Sequence, residues 1–355
     1  MLTCANPDIL DDPTIDCIYI ALPNGLHYEW ALRSIKAGKH VLLEKPSCSN
    51  ANEARTLFRH PLLTAPNAPV LLEAFHYRFH PAWQTFLGLI HRDPAAGPIK
   101  KVVSTQLFPK GYFPSNDIRF NYKLAGGSLM DFGTYPLSCV RQIFGTEPEE
   151  LVSTTHRSWP QNKTEIDEAM TATFRFPGGA TGIVNFDMAA SGGFPAFLPR
   201  WMTKNWPSGS WPKCVVELDE KVLDAKDGAT VDETHSVQRT VTLWNHLIPT
   251  FYHRIDVHDT HTLRRTSDGS VQRTWVEDKK LKAYSWPDKG EEGKVGEDWW
   301  ITYRYQLEEF VNRIKKRKGS GVWVDGEDSI RQMEAIDAIY EKAGLPLRPT
   351  SEYKE

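Results

Sequence analysis

The stretch Cys17–Pro46, CIYIALPNGLHYEWALRSIKAGKHVLLEKP, reads as one complete strand–helix–strand unit. Cys17–Leu22 is a short apolar run rich in β-forming residues, and the sequence PNG ends it. Apolar residues then recur at helical spacing as far as Gly38, and Val41–Leu43 forms a second apolar run. The pattern predicts two buried parallel strands joined by a helix.

Polar side chains follow both predicted strands at the point where each strand ends. Asn24 and His27 come after the first strand, and Glu44 and Lys45 come after the second. Ligands of open parallel sheets bind beyond the carboxyl ends of the strands. These four side chains are therefore expected to face one crevice.

The order and spacing of PNGLH at 23–27 and AGKHVLLEKP at 37–46 resemble the Gfo/Idh/MocA family of oxidoreductases. The resemblance implies a Rossmann domain followed by an α/β domain with a large open sheet. It also implies NADP or NAD as the coenzyme and a cis peptide bond before Pro46. The coenzyme-binding residues that it implies are Leu22, Pro23, Asn24, His27, Glu44, Lys45 and Pro46.

A second motif, GGSLMDFGTYPL at 126–137, places Asp131 and Tyr135 four residues apart, so that both share one face of a helix. The paired glycines allow close approach of the backbone to a ligand. The segment resembles the second motif of the same family, with Ser128 in place of its third glycine. Tyr135 in the last position is typical of the dihydrodiol, xylose and glucose–fructose branch. An ordinary helix carboxylate is the alternative for Asp131.

The resemblance implies oxidation of a CH–OH group in an aldose sugar or cyclic diol, with Lys45, Asp131 and Tyr135 as catalytic residues. A phenol acts as the base only if its pKa, about 10 when free, is lowered. We expect Lys45 and the charge of the oxidised nicotinamide to lower it, and Asp131 to orient the lysine or the substrate hydroxyl.

A third apolar strand at Val70–Leu72 precedes the sequence EAFHYRFHP at 73–81. The position that matches His76 lines the substrate pocket in the dihydrodiol and xylose dehydrogenases. His76, Arg78 and Tyr135 are therefore expected to contact the substrate. The alternative for His76 and His80 is a pair of rim histidines with partners inside the protein.

The fold class is α/β, with an incomplete Rossmann-type parallel sheet followed by an α+β domain that holds a large, mostly antiparallel sheet. We expect domains at residues 1–82 and 83–355. No G-x-G-x-x-G precedes Cys17, so the first domain is expected to be truncated, to expose an apolar edge strand and to bind dinucleotide poorly. The alternative function is a non-catalytic remnant that serves as a dimerisation or interaction module.

Composition excludes several classes of function. The formal charge of −3 over 355 residues gives no reason to expect nucleic acid or an anionic membrane as partner, and no apolar run is long enough to span a bilayer. Five cysteines without a CxxC pair indicate reduced thiols in the cytoplasm, with Cys17 and Cys139 as small core residues.

Two further segments are ambiguous. The aromatic and proline-rich stretch Phe194–Lys213 is a lid, a dimer contact or a packed surface loop. His253, His258 and His261 lack the spacing of a helical ligand pair, so no metal is expected.

The resemblance implies a homodimer formed through the open sheet.

Overall fold

Three short parallel strands form the first sheet, as expected from Cys17–Pro46. The computed structural model describes residues 7–192, 198–223, 232–286 and 292–353, so Cys4, Phe194 and Phe197 lie outside the described residues. The first elements are α1 (Pro7–Asp11), β1 (Cys17–Ile20), α2 (His27–Lys36), β2 (His40–Leu43), α3 (Ala51–Phe58) and β3 (Leu71–Glu73). The strand order is β1-β2-β3.

Helix α3 begins after the N-cap residue Asn50. The side chain of Asn50 accepts a hydrogen bond from the backbone N–H of Glu53 at 3.1 Å, which satisfies one of the open donors of the first turn. A carboxylate oxygen of Glu53 accepts a bond from the N–H of Ser49 at 2.9 Å. Both bonds fix the path of the chain just after Pro46.

Strand β1 is an edge strand within the described residues, because only β2 pairs with it. Its side chains alternate in exposure: Tyr19 is 52% exposed, whereas Ile20 is buried. The expectation that Cys17 is a core residue is wrong. Cys17 is exposed, since the edge position leaves its side chain uncovered, whereas Cys139 is buried as expected.

The second sheet has nine strands. The remaining elements are α4 (Pro81–His91), β4 (Ile99–Pro109), α5 (Thr134–Phe144), β5 (Glu150–Trp159), β6 (Asn162–Arg175), β7 (Thr181–Ala190), α6 (Arg200–Thr203), β8 (Ser210–Leu218), β9 (Lys221–Val222), β10 (Glu233–Trp244), β11 (Arg254–Arg265), β12 (Val271–Leu281), α7 (Thr302–Ile314) and α8 (Gly326–Lys342). The order is β12-β11-β10-β8-β4-β7-β6-β5, with β9 against β10. Only the β4–β7 pair is parallel among these, which confirms the predicted fold class.

One face of the nine-stranded sheet is covered and the other is open. Helix α5 packs on β4 and β7, and α8 packs on α3 and α5. Along β7 the side chains alternate strictly between buried and half-buried. The covered face contributes Val102, Val184 and Val216 to the core, and each of them is fully buried.

The sequence did not predict β11. Ile255 and Val257 are buried at alternate positions of Arg254–Arg265, but the next two buried positions hold Asp259 and His261. These polar residues on the buried face interrupt the apolar alternation that would indicate a strand. No helix among the described residues is long and apolar enough to span a membrane.

Candidate active site

A cleft of about 390 Å³ lies at the carboxyl ends of β1 and β2. It is lined by Ala21, Leu22, Pro23, Asn24, His27, Glu44, Lys45, His76, Gln106, Ile118, Arg119, Leu124, Gly126, Asp131, Phe132, Tyr135, Leu247, Ile248 and Tyr303. The cleft therefore brings together polar residues from both sheets, as the strand ends predicted. Pro46 follows Lys45 directly, and the peptide bond between them is cis, as expected.

The ammonium group of Lys45 lies in the cleft with only 9% of the residue exposed. Its Nζ donates to the carboxylate Oδ1 of Asp131 at 2.7 Å and to the backbone carbonyl of the same residue at 2.9 Å. The same nitrogen lies 4.8 Å from the centroid of the Tyr135 ring. Lys45 thus contacts both of the other predicted catalytic residues.

Asp131 has a second cationic partner that the sequence did not indicate. The guanidinium of Arg119 forms an ion pair with the other carboxylate oxygen. Burial would raise the pKa of Asp131, but Lys45 and Arg119 together hold it below its ordinary value. Asp131 is therefore ionised at neutral pH and balances the charge of Lys45.

The paired glycines are required by packing within the protein, and Gly126 also lines the cleft, so the close approach of the backbone to a ligand stays a prediction. A Cβ atom on Gly126 would lie 2.5 Å from the carbonyl oxygen of Arg119, and one on Gly127 would lie 2.4 Å from the side chains of Arg348 and Asp167. Asp167 also accepts a bond from the backbone N–H of Leu129 at 2.6 Å. A fully buried ion pair between Arg348 and Asp167 therefore anchors the turn that carries Asp131.

Tyr135 lies in the first turn of α5, preceded by a π-helical turn at Leu129–Gly133. Burial raises its pKa well above the ordinary value, and the negative charges of Glu44 and Asp131 raise it further. In the chain without coenzyme these effects outweigh any influence of Lys45, and the lowering of this pKa by Lys45 together with an oxidised nicotinamide stays a prediction. The ammonium lies over the face of the ring and is paired with Asp131, so the phenol is protonated at neutral pH.

His76 contacts Tyr135 from the opposite side of the cleft. Its Nε2 lies 3.1 Å from the phenolic oxygen, and its Nδ1 lies 2.8 Å from the hydroxyl of Thr302. The ring stacks on Tyr303 with centroids 4.1 Å apart. Burial, with the charge of Lys45, lowers the pKa of His76 to about 3, so the imidazole is neutral.

Some of the expected coenzyme-binding residues line the cleft, and some also hold the backbone around it through hydrogen bonds. Each ring nitrogen of His27 lies 2.8 Å from a backbone carbonyl oxygen, that of Leu22 or that of Pro46. Burial lowers the pKa of His27 to about 4. The amide of Asn24 donates to the carbonyl of Ala125 at 3.2 Å, across the cleft.

Glu44 presents a carboxylate to the cleft and accepts a hydrogen bond from the phenol of Tyr19 at 2.5 Å. The bond joins the exposed side of β1 to the end of β2. Its Oε2 accepts a bond from the backbone N–H of Lys45 at 3.2 Å, and because a carboxylate oxygen has two lone pairs, Glu44 can also accept a bond from a ligand hydroxyl.

Arg78 is not in the cleft, and the expectation that it contacts substrate there is wrong. Its guanidinium is 1% exposed, forms an ion pair with Asp328 and donates to the hydroxyl of Ser138 at 2.7 Å. The 3-10 turn at His76–Phe79 directs neighbouring side chains in different directions. His80 instead caps α4, accepting a bond from the N–H of Ala82 at 3.1 Å.

Gln106 is a cleft residue that the sequence did not indicate. It lies on β4 and is fully buried, and neither its carboxamide oxygen nor its nitrogen has a hydrogen-bond partner within the described residues. A buried amide without partners costs about 1–3 kcal/mol. The sequence gives no clear signal for it, because β4 also contains Lys100, Lys101, Ser104 and Thr105.

The three histidines near β11 do not converge. His253 bonds to the carbonyl of Pro249 at 2.8 Å, His258 pairs with Asp278 at 2.7 Å, and His261 lies 3.0 Å from His235. A separate buried group, Cys139, Cys214 and His246, has ligand-type atoms within 4.8 Å of one another, but none of these residues lines the cleft.

The aromatic stretch Phe194–Lys213 does not cover the cleft where it is described. Trp201 is 74% exposed, and Trp206 and Trp211 are each about half exposed. None of the three lines the cleft.

The residues present fit the nicotinamide end of a dinucleotide. One cleft is lined by the backbone of residues 21–24, the ammonium of Lys45 and the unpartnered amide of Gln106. It is large enough for a nicotinamide ring and a small substrate. Within residues 7–192, 198–223, 232–286 and 292–353, no glycine-rich turn between a strand and a helix lies beside β1 to bind phosphates.

Comparison with known proteins assigns the class. Residues 4–61 match the oxidoreductase family with an NAD-binding Rossmann fold, and residues 91–202 match the GFO/IDH/MocA C-terminal domain. Together with the cleft, these matches define an NAD(P)-dependent oxidoreductase. The chain belongs to the Gfo/Idh/MocA family.

One relative is similar over most of the chain. D-xylose 1-dehydrogenase (NADP(+)) 2 of Haloferax volcanii is 31% identical over 94% of this chain and 80% of its own length. Solved structures share the fold. One is a 3-ketoreductase from Actinomadura kijaniata in complex with NADP and TDP-benzene, and the match to it covers 95% of this chain and 81% of the ketoreductase chain, with 20% identity and a TM-score of 0.61. An aldose-aldose oxidoreductase from Caulobacter crescentus has 20% identity and a TM-score of 0.60, with 95% and 79% covered.

Proposed function

We propose that the chain transfers hydride between NADP and the CH–OH group of an aldose sugar or a cyclic diol, with an aldose similar to D-xylose as the first candidate. The observation that carries the proposal is the contact of Lys45, Asp131 and Tyr135 in one cleft. The name of the Haloferax volcanii relative supports the choice of NADP and of an aldose.

Each of the three residues has a separate task in the reaction. The coenzyme, when bound, supplies the hydride acceptor. The charge of Lys45 stabilises the oxygen of the substrate as its proton leaves, and Asp131 holds that charge in place. Tyr135 is buried and protonated, so it can give its proton to a carbonyl in the reductive direction and receive one in the oxidative direction.

The polar lining of the cleft favours a substrate with several hydroxyl groups. Gln106 offers an unpartnered donor and acceptor, and Glu44 offers an acceptor. A sugar or diol satisfies such groups, whereas an apolar alcohol leaves the buried amide unpaired.

The test is an assay of the purified chain with NADP⁺ and a panel of aldoses and cyclic diols, followed by coenzyme absorbance. NADP⁺ is raised until the rate saturates, so that weak coenzyme binding does not hide activity. We expect turnover with at least one aldose or diol. Absence of a coenzyme-dependent reaction with the whole panel, in a folded protein, would reject the proposal.

We also propose that two copies of the chain associate through the open face of the nine-stranded sheet. Val103 lies in register with Ile183 on β7 and with Val215 on β8, so three apolar side chains adjoin on that half-buried face. Sedimentation equilibrium is expected to give a dimer, and Ile183→Arg is expected to give a monomer. A monomeric wild-type chain would contradict this proposal.

The cytoplasmic location stays a prediction.

A further inference from the structure

Tyr135 is the first member of a chain of buried hydrogen bonds that leads away from the cleft. Its phenolic oxygen lies 3.1 Å from Nε2 of His76, and Nδ1 of His76 lies 2.8 Å from the hydroxyl oxygen of Thr302. That hydroxyl lies 3.5 Å from the backbone carbonyl of Leu247. The three side chains are at most 6% exposed, so water does not compete for these bonds.

The contact at the far end, which at 3.5 Å is long for an O–H···O bond, favours one direction for the bonds. A carbonyl oxygen only accepts, so the hydroxyl of Thr302 donates to Leu247. The oxygen of Thr302 then accepts a bond from Nδ1–H of His76. A neutral imidazole carries one proton, so its Nε2 holds a lone pair and accepts the O–H of Tyr135. Three donors and three acceptors are each used once.

The groups that face His76 keep it neutral and in place. Tyr303 stacks on one face, and Lys45 and His246 are the cationic or titratable groups that oppose its protonation together with burial. Tyr135 contacts its Nε2 edge. Both ring nitrogens are engaged within the protein, so the geometry favours a role through Tyr135 over direct contact with a substrate.

We propose that His76 is the acceptor of the proton that leaves the substrate through Tyr135, and that Thr302 is the positioning residue that sets its tautomer. This inference rests on the proposed function. In the oxidative direction the substrate O–H proton moves to the oxygen of Tyr135 while the phenolic proton moves to Nε2 of His76. The substrate C–H hydride is taken up by NADP⁺, so the alcohol loses two electrons and two hydrogens and becomes a carbonyl.

The relay needs no free phenolate, although the imidazolium that it forms is short-lived because burial and Lys45 oppose it. Tyr135 stays neutral throughout, because it receives one proton as it passes on another. A free phenolate, which burial and the nearby carboxylates disfavour, is never formed. The imidazolium that results keeps its Nδ1–H bond to Thr302, and once the product has left, its Nε2 proton returns through the oxygen of Tyr135 to water in the cleft, which restores the neutral imidazole. In the reductive direction the same bonds carry the proton back to the product oxygen.

The first test reads the tautomer directly and needs no coenzyme. Nitrogen NMR of the histidine-labelled chain distinguishes a protonated from an unprotonated ring nitrogen, and the spectrum of His76→Gln assigns the signals of His76. We expect protonated Nδ1 and bare Nε2 in the wild type and in Thr302→Ser, which keeps the hydroxyl. Thr302→Val, which has nearly the same shape, is expected to shift the proton towards Nε2.

Two NMR results would overturn the relay: protonated Nε2 in the wild type, or an unchanged tautomer in Thr302→Val. Chemical denaturation of each variant confirms that it is folded. Because these measurements involve neither sugar nor NADP, they separate failure of the relay from failure of the proposed function.

The second test is kinetic. We expect Thr302→Val to lower kcat about 10-fold with the KM for sugar unchanged, Thr302→Ser to restore it, and His76→Gln to lower kcat about 100-fold. The acid limb of the kcat profile, where His76 becomes protonated, is expected to vanish in His76→Gln. If the wild type turns over sugar and these variants have the same kcat and the same pH profile, the relay is rejected and the proposed function stands.

Discussion

The ammonium nitrogen of Lys45 lies 4.8 Å from the centre of the Tyr135 ring, although 90 positions separate the two residues. The contact joins the end of a strand in the first sheet to a helix that packs on the second sheet. Asp131 holds the nitrogen at that place with a 2.7 Å bond. The redox chemistry proposed for this chain depends on that arrangement.

Replacing Lys45 by methionine removes the charge but keeps much of the side-chain volume. We expect kcat with an aldose to fall at least about 100-fold, because the developing charge on the substrate oxygen loses its cation. Stability is expected to fall by about 3 kcal/mol, since buried Asp131 loses a partner. Lys36→Met, at an exposed position of α2, is the matched control and should change neither quantity. Unimpaired turnover of Lys45→Met would remove Lys45 from the mechanism.

Gln106 is expected to recognise a substrate hydroxyl. Gln106→Leu should raise the KM for sugar about 10-fold and leave the KM for NADP⁺ unchanged, because one hydrogen-bonding partner of the sugar is lost. The variant should be as stable as the wild type or more stable, since a buried amide without partners is removed. Gln238→Leu, at an exposed position of β10, serves as control. A KM for sugar that stays at the wild-type value would show that Gln106 does not contact the substrate.

Glu73 makes stability depend on pH. Its carboxyl group is fully buried, accepts a bond from the N–H of Ser47 at 2.8 Å, and has its pKa raised to about 7 by burial. The folded chain therefore binds this proton more tightly than the unfolded chain does. The stabilisation that the protonated carboxyl of Glu73 contributes to the folded chain is fully present below about pH 4.5 and is lost as the pH rises to about 7.

Urea unfolding of the wild type and of Glu73→Gln at several pH values checks that dependence. The wild type should lose about 3 kcal/mol relative to Glu73→Gln between about pH 4.5 and pH 7.5, which is the energy of the pKa shift. Glu149→Gln, at an exposed position, removes the same charge and should run parallel to the wild type. A difference that is constant with pH would contradict the assignment.

The edge of β1 is expected to promote self-association. Only β2 pairs with β1 among the described residues, so the other edge of β1 can pair with another strand, and a lysine on an edge strand opposes such pairing. Light scattering should show association beyond the dimer that weakens in Cys17→Lys. Cys17→Ser, which removes the thiol without adding charge, should behave like the wild type. Equal scattering from the two variants would exclude pairing at this edge.

Local patterns were sufficient for much of the fold. The strand–helix–strand unit, the cap at Asn50 and the turn at Pro177–Gly179 between β6 and β7 each arise from neighbouring residues. Lys45 and Tyr135 were found because each lies in a specific motif. The domain boundary between residues 82 and 83 stays a prediction.

The rest of the site depends on packing that no local pattern contains. Arg119 reaches Asp131 through an irregular loop, and Thr302 reaches His76 from a helix 226 positions later. The raised pKa of Tyr135 in the chain without coenzyme could not be predicted, because the extent of burial and the pairing of Lys45 with Asp131 are properties of the folded chain.

Turnover of Tyr135→Phe tests the central claim most directly. The variant keeps the ring under Lys45 but has no proton to exchange, so with saturating NADP⁺ and aldose we expect kcat to fall about 1,000-fold. The Kd for NADP⁺, measured by fluorescence titration, should stay within about twofold of the wild-type value, since only the hydroxyl is removed. Turnover close to the wild-type rate would contradict the account.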